Sequence, residues 1–200
     1  MSGPAKHMID DVETDPRIAG QITRYHTWPR HRDQSVGEHT WQIMRILLTV
    51  WPSCPRKLLV YATFHDVGEM VGDIPYPGKK LRPELKGLMD DLERLNVDKM
   101  STHWRMPLSP VLSEYERRVF KLCEYIEMWE YGLQEQNLGN RYGSVVALRM
   151  LLEASRAMES LEIPVDGSYP DIRPAVRTYV DVRQAQERGR ILDMMEEKET

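Results

Sequence analysis

Three separated segments carry the residue types that could do chemistry together. His39 lies in SVGEHTW, His65 and Asp66 lie in ATFHDVGE, and an acidic residue, Glu124 or Glu127, lies in KLCEYIE. Two imidazoles with two carboxylates form a mixed nitrogen and oxygen donor set. That set suits Mn, Fe, Co, Ni or Zn, with Mg also possible. A histidine on an apolar helix face is ordinarily a hydrogen-bonded core side chain, so each segment alone says little. Here His39 and His65 both fall on the inward stripes of their helices, where an unpaired ring nitrogen is expensive to bury. Several ligand-type side chains facing one core can be satisfied together by one divalent cation.

The elements that must position these residues read as helices. A short helix is expected from Asp15 to about Thr23, followed by a polar, Pro-broken loop over 24–34. Ser35-Val36-Gly37-Glu38 has the form of a capping box: Ser35 accepts from the amide of Glu38 while Glu38 reaches back. The helix it opens carries His39, Ile43, Ile46, Leu47 and Val50 on one stripe and stops at Trp51-Pro52. The next helix starts at Ser53 or Pro55 and aligns Leu58, Ala62 and His65. Residues 72–80 (GDIPYPGKK) form a rigid loop. A charged helix over 82–100 is expected to bury a stripe of Leu85, Leu88, Met89, Leu92 and Leu95. Further helices are expected over roughly 110–136, 141–160 and 171–196. Strand signals are almost absent, so the fold class is an all-α bundle. Residues 1–15 read as a flexible N-terminus and 16–200 as one helical domain, with the site inside 24–127.

Length and composition agree. The 200 residues are one domain's worth of chain, 41% hydrophobic and 29% charged, with net charge −4. A chain of that charge is not a strongly basic nucleic-acid binder. No apolar run approaches a membrane span, and no apolar stretch near Met1 resembles a secretory signal. Two cysteines form no framework, so a reducing, cytoplasmic setting is expected. No Walker A sequence and no G-x-S-x-G elbow are present.

Four motifs taken together resemble the HD-domain metal-dependent phosphohydrolases. They are an Arg-aromatic pair fifteen residues before the first His, then S-V-x-E-H, then H-D-x-x-E, then G-D-x-P-x-P-x-K. More narrowly, the segments are similar to the YfbR-like 5′-deoxynucleotidases and to the phage DatZ-type dATP triphosphohydrolases, over residues 18–135. The resemblance implies an HD-domain helical bundle, with His39, His65 and Asp66 as metal ligands. The fourth family ligand is an Asp in K-x-x-D. Here Lys121-Leu122-Cys123 leads to Glu124, one methylene longer, with Glu127 one turn on as the alternative. Glu69 matches the family's catalytic acid and Asp73 a second catalytic carboxylate, on a loop one residue shorter than in the bacterial nucleotidases. Arg24 corresponds to the phosphate-contacting arginine, and Tyr25 to an aromatic residue that shapes the sugar pocket. Trp28 offers a base-stacking surface, and Lys79 adds charge near a phosphate.

A bound metal in such a site polarises the P–O bond and activates a water. Glu69 and Asp73 would share the proton transfers, and the Arg24 guanidinium is a fork for phosphate oxygens. The expected substrate is a deoxynucleoside 5′-monophosphate, cleaved to deoxynucleoside and phosphate. The first alternative is a DatZ-like dATP triphosphohydrolase, for which the charges between Arg24 and Arg32 would serve the longer polyphosphate. The second is a non-catalytic, nucleotide-binding HD module. The expected partners are the nucleotide and further copies of the same chain, since related nucleotidases are oligomers; neither nucleic acid nor membrane is expected.

Overall fold

The protein, a computed structural model, is described over residues 15–25, 28–71 and 83–196. Among these residues there are seven α-helices and one 3-10 turn, and the sole β pairing is an isolated antiparallel bridge between Thr23 and Ser35. The helices are α1 Pro16–Gly20, α2 Val36–Val50, α3 Arg56–Phe64, α4 Pro83–Trp104, α5 Glu114–Asn137, α6 Arg141–Glu159 and α7 Arg173–Glu196; the 3-10 turn spans Val67–Val71. The fold is all-α, as the helical periodicity predicts.

The expected flexible segment 1–15 lies outside the described residues except for Asp15, whose side chain caps α1 by accepting from the amide of Arg17 (2.9 Å). α1 ends at Gly20 rather than Thr23. From there the chain runs extended: the Val36 amide donates to Ile22 O and the Arg24 amide to Gln34 O, each at 2.8 Å. Those bonds close the 24–34 loop at its base.

α2 starts where Ser35 Oγ accepts from the Glu38 amide at 3.1 Å. The return arm of the expected capping box is missing, because the Glu38 carboxylate pairs with Arg32. A guanidinium is a stronger partner for a carboxylate than a neutral amide is. The reciprocal box forms instead at Ser113 and Glu116: the Ser113 amide donates to Glu116 Oε2 (2.7 Å) and the Glu116 amide to Ser113 Oγ (3.2 Å). That box sets the start of α5 at Glu114, four residues after the expected boundary near 110.

α5 is the central element and packs on α2, α3 and α6. Ile43, Ile46, Leu47, Leu58, Leu122 and Ile126 are fully buried around it, each contributing about 1.5–3 kcal/mol of burial. α5 and α6 touch backbone to backbone at two glycines. A Cβ on Gly132 would stand 2.7 Å from Ala147 N, and one on Gly143 would stand 2.7 Å from Gly132 O.

α4 runs to Trp104 and differs from expectation in its buried face. Leu88, Leu92 and Leu95 point to solvent, while Asn96 and Met100 are buried. Met100 joins Ala19, Val67 and Leu108 in a second small core, with Val97 packed against it. The approach is close: a Cβ on Gly68 would lie 2.5 Å from Glu93 O, and Asn96 Nδ2 donates to Gly68 O at 3.0 Å. α4 is thereby keyed onto the turn that follows His65 and Asp66. No helix among the described residues is long and apolar enough to cross a membrane.

Candidate metal centre

α2, α3 and α5 bring three donors from distant parts of the chain to one point. One ligand atom each from His39, His65 and Glu124 lies within 4.8 Å of the others. The i, i+4, i+7 stripe of α2 turns His39 fully inward with Ile43 and Ile46. His65 is the C-cap of α3, so it stands where that helix ends over the core. Glu124 is half-buried on α5, its carboxylate 3.0 Å from Lys121 Nζ.

Both imidazoles are held from behind. His39 Nδ1 lies 2.6 Å from Glu127 Oε2, and His65 Nδ1 lies 3.0 Å from Ala62 O. Carboxylate and carbonyl oxygens only accept, so both rings carry their Nδ1 proton on that side. In each ring Nε2 is buried and makes no hydrogen bond. Asp66 flanks the same two atoms, with Oδ2 3.6 Å from His39 Nε2 and Oδ1 3.2 Å from His65 Nε2. Two buried, orphaned imidazole nitrogens facing carboxylate oxygens are the donor chemistry of a divalent-cation site. The residues present fit such an ion.

The electrostatics follow from burial and neighbours. Burial pushes the His39 pKa down and Arg24's charge adds to this; Glu127 and Asp66 offset only part, so the ring is held neutral. For His65 burial also pushes down, but Asp66, then Glu124, outweigh it, and the value rises. Asp66 is pushed up by burial, yet His65, then His39 and Arg24, drive it far below the usual carboxylate range. A negative pocket that draws a proton to His65 is one that also favours a cation.

Four of the remaining expected residues, Glu69, Arg24, Tyr25 and Trp28, lie among the described ones. Glu69 sits on the 3-10 turn, and its amide donates to Asp66 O at 3.0 Å. Arg24 Nη1 lies 3.8 Å from Glu127 Oε2, and its guanidinium stacks 4.9 Å from the Tyr25 ring centre. Tyr25 adopts φ +57°, which an L-residue rarely takes, and stacks on Tyr131 at 4.9 Å. Trp28 tilts against Tyr25 at 5.9 Å. Together with Tyr131 and Tyr142 these rings line a narrow, largely apolar crevice. Asp73 and Lys79 lie outside the described residues.

Several residues shape the site without any signal in the motifs. Gln34 Nε2 donates to Glu127 Oε1 at 2.6 Å. Glu127 therefore stands behind His39, while Glu124 is the acid grouped with the two histidines. Glu135 pins the 24–34 loop, accepting the amides of His31 (2.8 Å) and Arg32 (2.9 Å), and Asn140 Nδ2 bonds Pro29 O at 2.9 Å. Among the described residues of the loop, Arg30 pairs with Asp33 (2.6 Å), Arg32 with Glu38, and the His31 ring with Leu138 O (2.8 Å).

No protein-family model and no curated protein matches the chain by sequence. A solved structure does match it in shape. The cyanophage S-2L HD phosphohydrolase (DatZ), bound to dA and one catalytic Zn2+ ion, superposes with a TM-score of 0.65 at 17% identity, over 86% of this chain and 95% of that one. The chain has the HD-domain fold. In this fold the two histidines come from the end of one helix and the inward stripe of another, and the acidic side chain beside them from the central helix.

Proposed function

We propose that the protein is a metal-dependent phosphohydrolase acting on deoxynucleoside 5′-monophosphates. The observation that carries this reading is the convergence of His39, His65 and Glu124 with both Nε2 atoms orphaned, Asp66 alongside. The fold shared with a zinc-bearing HD phosphohydrolase supports it. A bound divalent cation supplies Lewis-acid activation of the phosphoryl group and of a water. His39, His65, Asp66 and Glu124 would hold it.

The rest of the chemistry belongs to side chains. Arg24 presents a planar fork to the phosphate oxygens. Glu69, three residues after Asp66 and next to the ligands, orients the attacking water or protonates the departing 5′-oxygen, with Asp73 as its partner in the proton transfers. Tyr25 shapes the sugar pocket, Trp28 offers a face to the base, and Lys79 adds charge to the phosphate side.

The monophosphate is favoured by the state of the loop. A triphosphate needs further cationic groups, and Arg30 and Arg32 already pair with Asp33 and Glu38. The second reading, hydrolysis of a deoxynucleoside triphosphate, rests on the resemblance of the sequence motifs to the DatZ-type enzymes. A panel assay separates the two. The protein with Mn2+, Co2+ or Zn2+ is given each ribo- and deoxynucleotide as mono-, di- and triphosphate, and the released species are identified. Free phosphate from deoxynucleoside monophosphates, with ribonucleotides poorer, is expected. Intact triphosphate released from dATP moves the reading to the second substrate. No turnover of any nucleotide with any metal overturns both.

A further inference from the structure

Glu127 is a carboxylate only 1% exposed. Burying such a charge is costly unless its oxygens are met. They are met by Gln34 Nε2 on Oε1 at 2.6 Å and by His39 Nδ1 on Oε2 at 2.6 Å, with Arg24 Nη1 3.8 Å from Oε2. The two imidazoles at the site are thus fixed by different devices. His65 is held by the Ala62 carbonyl, which every sequence supplies. His39 is held by a side chain, and that side chain is gripped in turn by Gln34, whose backbone oxygen takes the Arg24 amide at 2.8 Å.

We propose that Glu127 is a positioning residue for His39. It selects the Nδ1–H form of the ring and fixes the ring plane, so that the Nε2 lone pair faces Asp66 and the gap shared with His65 and Glu124. A flipped ring would set a C–H against the carboxylate and turn Nε2 away. Gln34 acts one step further back, by holding the other oxygen of Glu127. The inference rests on the metal reading of the site and adds a residue whose role is to aim a ligand rather than to bind.

The test measures metal affinity and ring tautomer, not turnover. Dissociation constants for Zn2+ and Mn2+ are determined by competition with a chromophoric chelator for the native chain and for Glu127→Gln, Gln34→Met and Glu130→Gln. Glu130 is an equally buried carboxylate on the same helix that does not touch the site. Glu127→Gln should weaken the metal by about 10–100-fold, as loss of an outer hydrogen-bond partner does. Gln34→Met should weaken it by about threefold, and Glu130→Gln should stay within about twofold of native. In the metal-free native protein, 15N-resolved imidazole spectra should show His39 protonated at Nδ1, and in Glu127→Gln a mixture of the two tautomers. Unchanged affinity in a folded Glu127→Gln, equal weakening by Glu130→Gln, or an Nε2–H His39 in the native chain each overturns the proposal. If Glu127→Gln does not fold, Gln34→Met and the native spectrum decide. A native chain that binds neither metal overturns the reading of the site itself, whereas a native chain that binds metal while Glu127→Gln binds it equally well overturns the role of Glu127 alone.

Discussion

α5 carries two buried carboxylates three residues apart, and they face different regions of the molecule. Glu127 looks toward α2 and the base of the 24–34 loop. Glu130 looks toward α7, accepting from Tyr179 Oη (2.7 Å) and Arg183 Nε (2.7 Å), and from Arg45 on α2. Around Glu130 the network closes on itself: Arg45 Nη1 also donates to Tyr179 Oη at 2.7 Å. Around Glu127 it does not close, for the chain of bonds runs from Gln34 through Glu127 to His39 and stops at a buried Nε2 with no hydrogen bond. Residue type and burial are the same in both places. What distinguishes a site from a structural clamp is that the polar chain ends on an orphaned lone pair aimed at other donors.

The sharpest way to break that contrast is at its open end. His65→Ala should reduce nucleotide hydrolysis by on the order of 10³-fold or more, about 4 kcal/mol of barrier, with the far-ultraviolet circular dichroism spectrum unchanged. Residual activity within tenfold of native would show that the imidazole is not a ligand.

The closed end should respond in stability rather than in chemistry. Glu130→Ala strips the partner from Tyr179 and two guanidiniums. Arg45 and Arg183 are about one-third exposed and regain water, so the expected loss is about 2–3 kcal/mol rather than the full cost of breaking a buried pair. Denaturant unfolding measures it, and metal affinity should be unaltered. Loss of metal binding with intact stability would reverse the assignment of the two regions.

Acidity sharpens the comparison on the site side. Asp66 and Glu127 are both pushed up by burial and more than pulled back by the neighbouring histidines and Arg24. A carboxylate depressed in the folded state contributes stability that is complete above its unfolded value, about pH 4–4.5, and is lost as pH falls through the lowered value. Glu116, held down by Lys57 and Ser113, adds in the same sense. Near pH 6.5 the two histidines oppose each other. The lowered His39 stabilises above that pH, and the raised His65 stabilises below it and loses its contribution as pH rises through its raised value. The thermal midpoint of metal-free protein should therefore drop as pH falls below about 4.5. A midpoint that rises on acidification would contradict the carboxylate assignments. The smallest effect belongs to the outer face of α4: Leu88 is 68% exposed, so Leu88→Ser should move stability by no more than about 0.5 kcal/mol. A larger loss in the monomer would show that this face is covered.

Residue chemistry made the candidate ligand types legible in the sequence, and helical period made His39's inward direction legible. Both signals are local: a stripe of apolar residues says which way a helix faces. Local signals failed where two faces compete. α4 has Leu88, Leu92 and Leu95 on one side and Met89, Val97 and Met100 on another. The side that wins is the one the bare backbone of Gly68 allows to close against Val67 and Ala19. Nor does spacing say what a polar residue reaches across the fold. Glu124 and Glu127 are equivalent acids on one helix by sequence, and only the position of His39, 88 residues from Glu127, separates a donor at the gap from one behind the ring. The Ser113–Glu116 box shows the opposite case, a local signal present in the sequence that fixes the start of α5.

The central claim is that positions 39, 65, 66 and 124 share one cation. Anomalous diffraction from crystals grown with Zn2+ or Mn2+ tests it most directly. The account predicts a single strong peak between His39 Nε2, His65 Nε2, Asp66 and Glu124, at about 2.0–2.2 Å from its ligands. A gap without a peak, with the ion held elsewhere or absent at saturating metal, would contradict it.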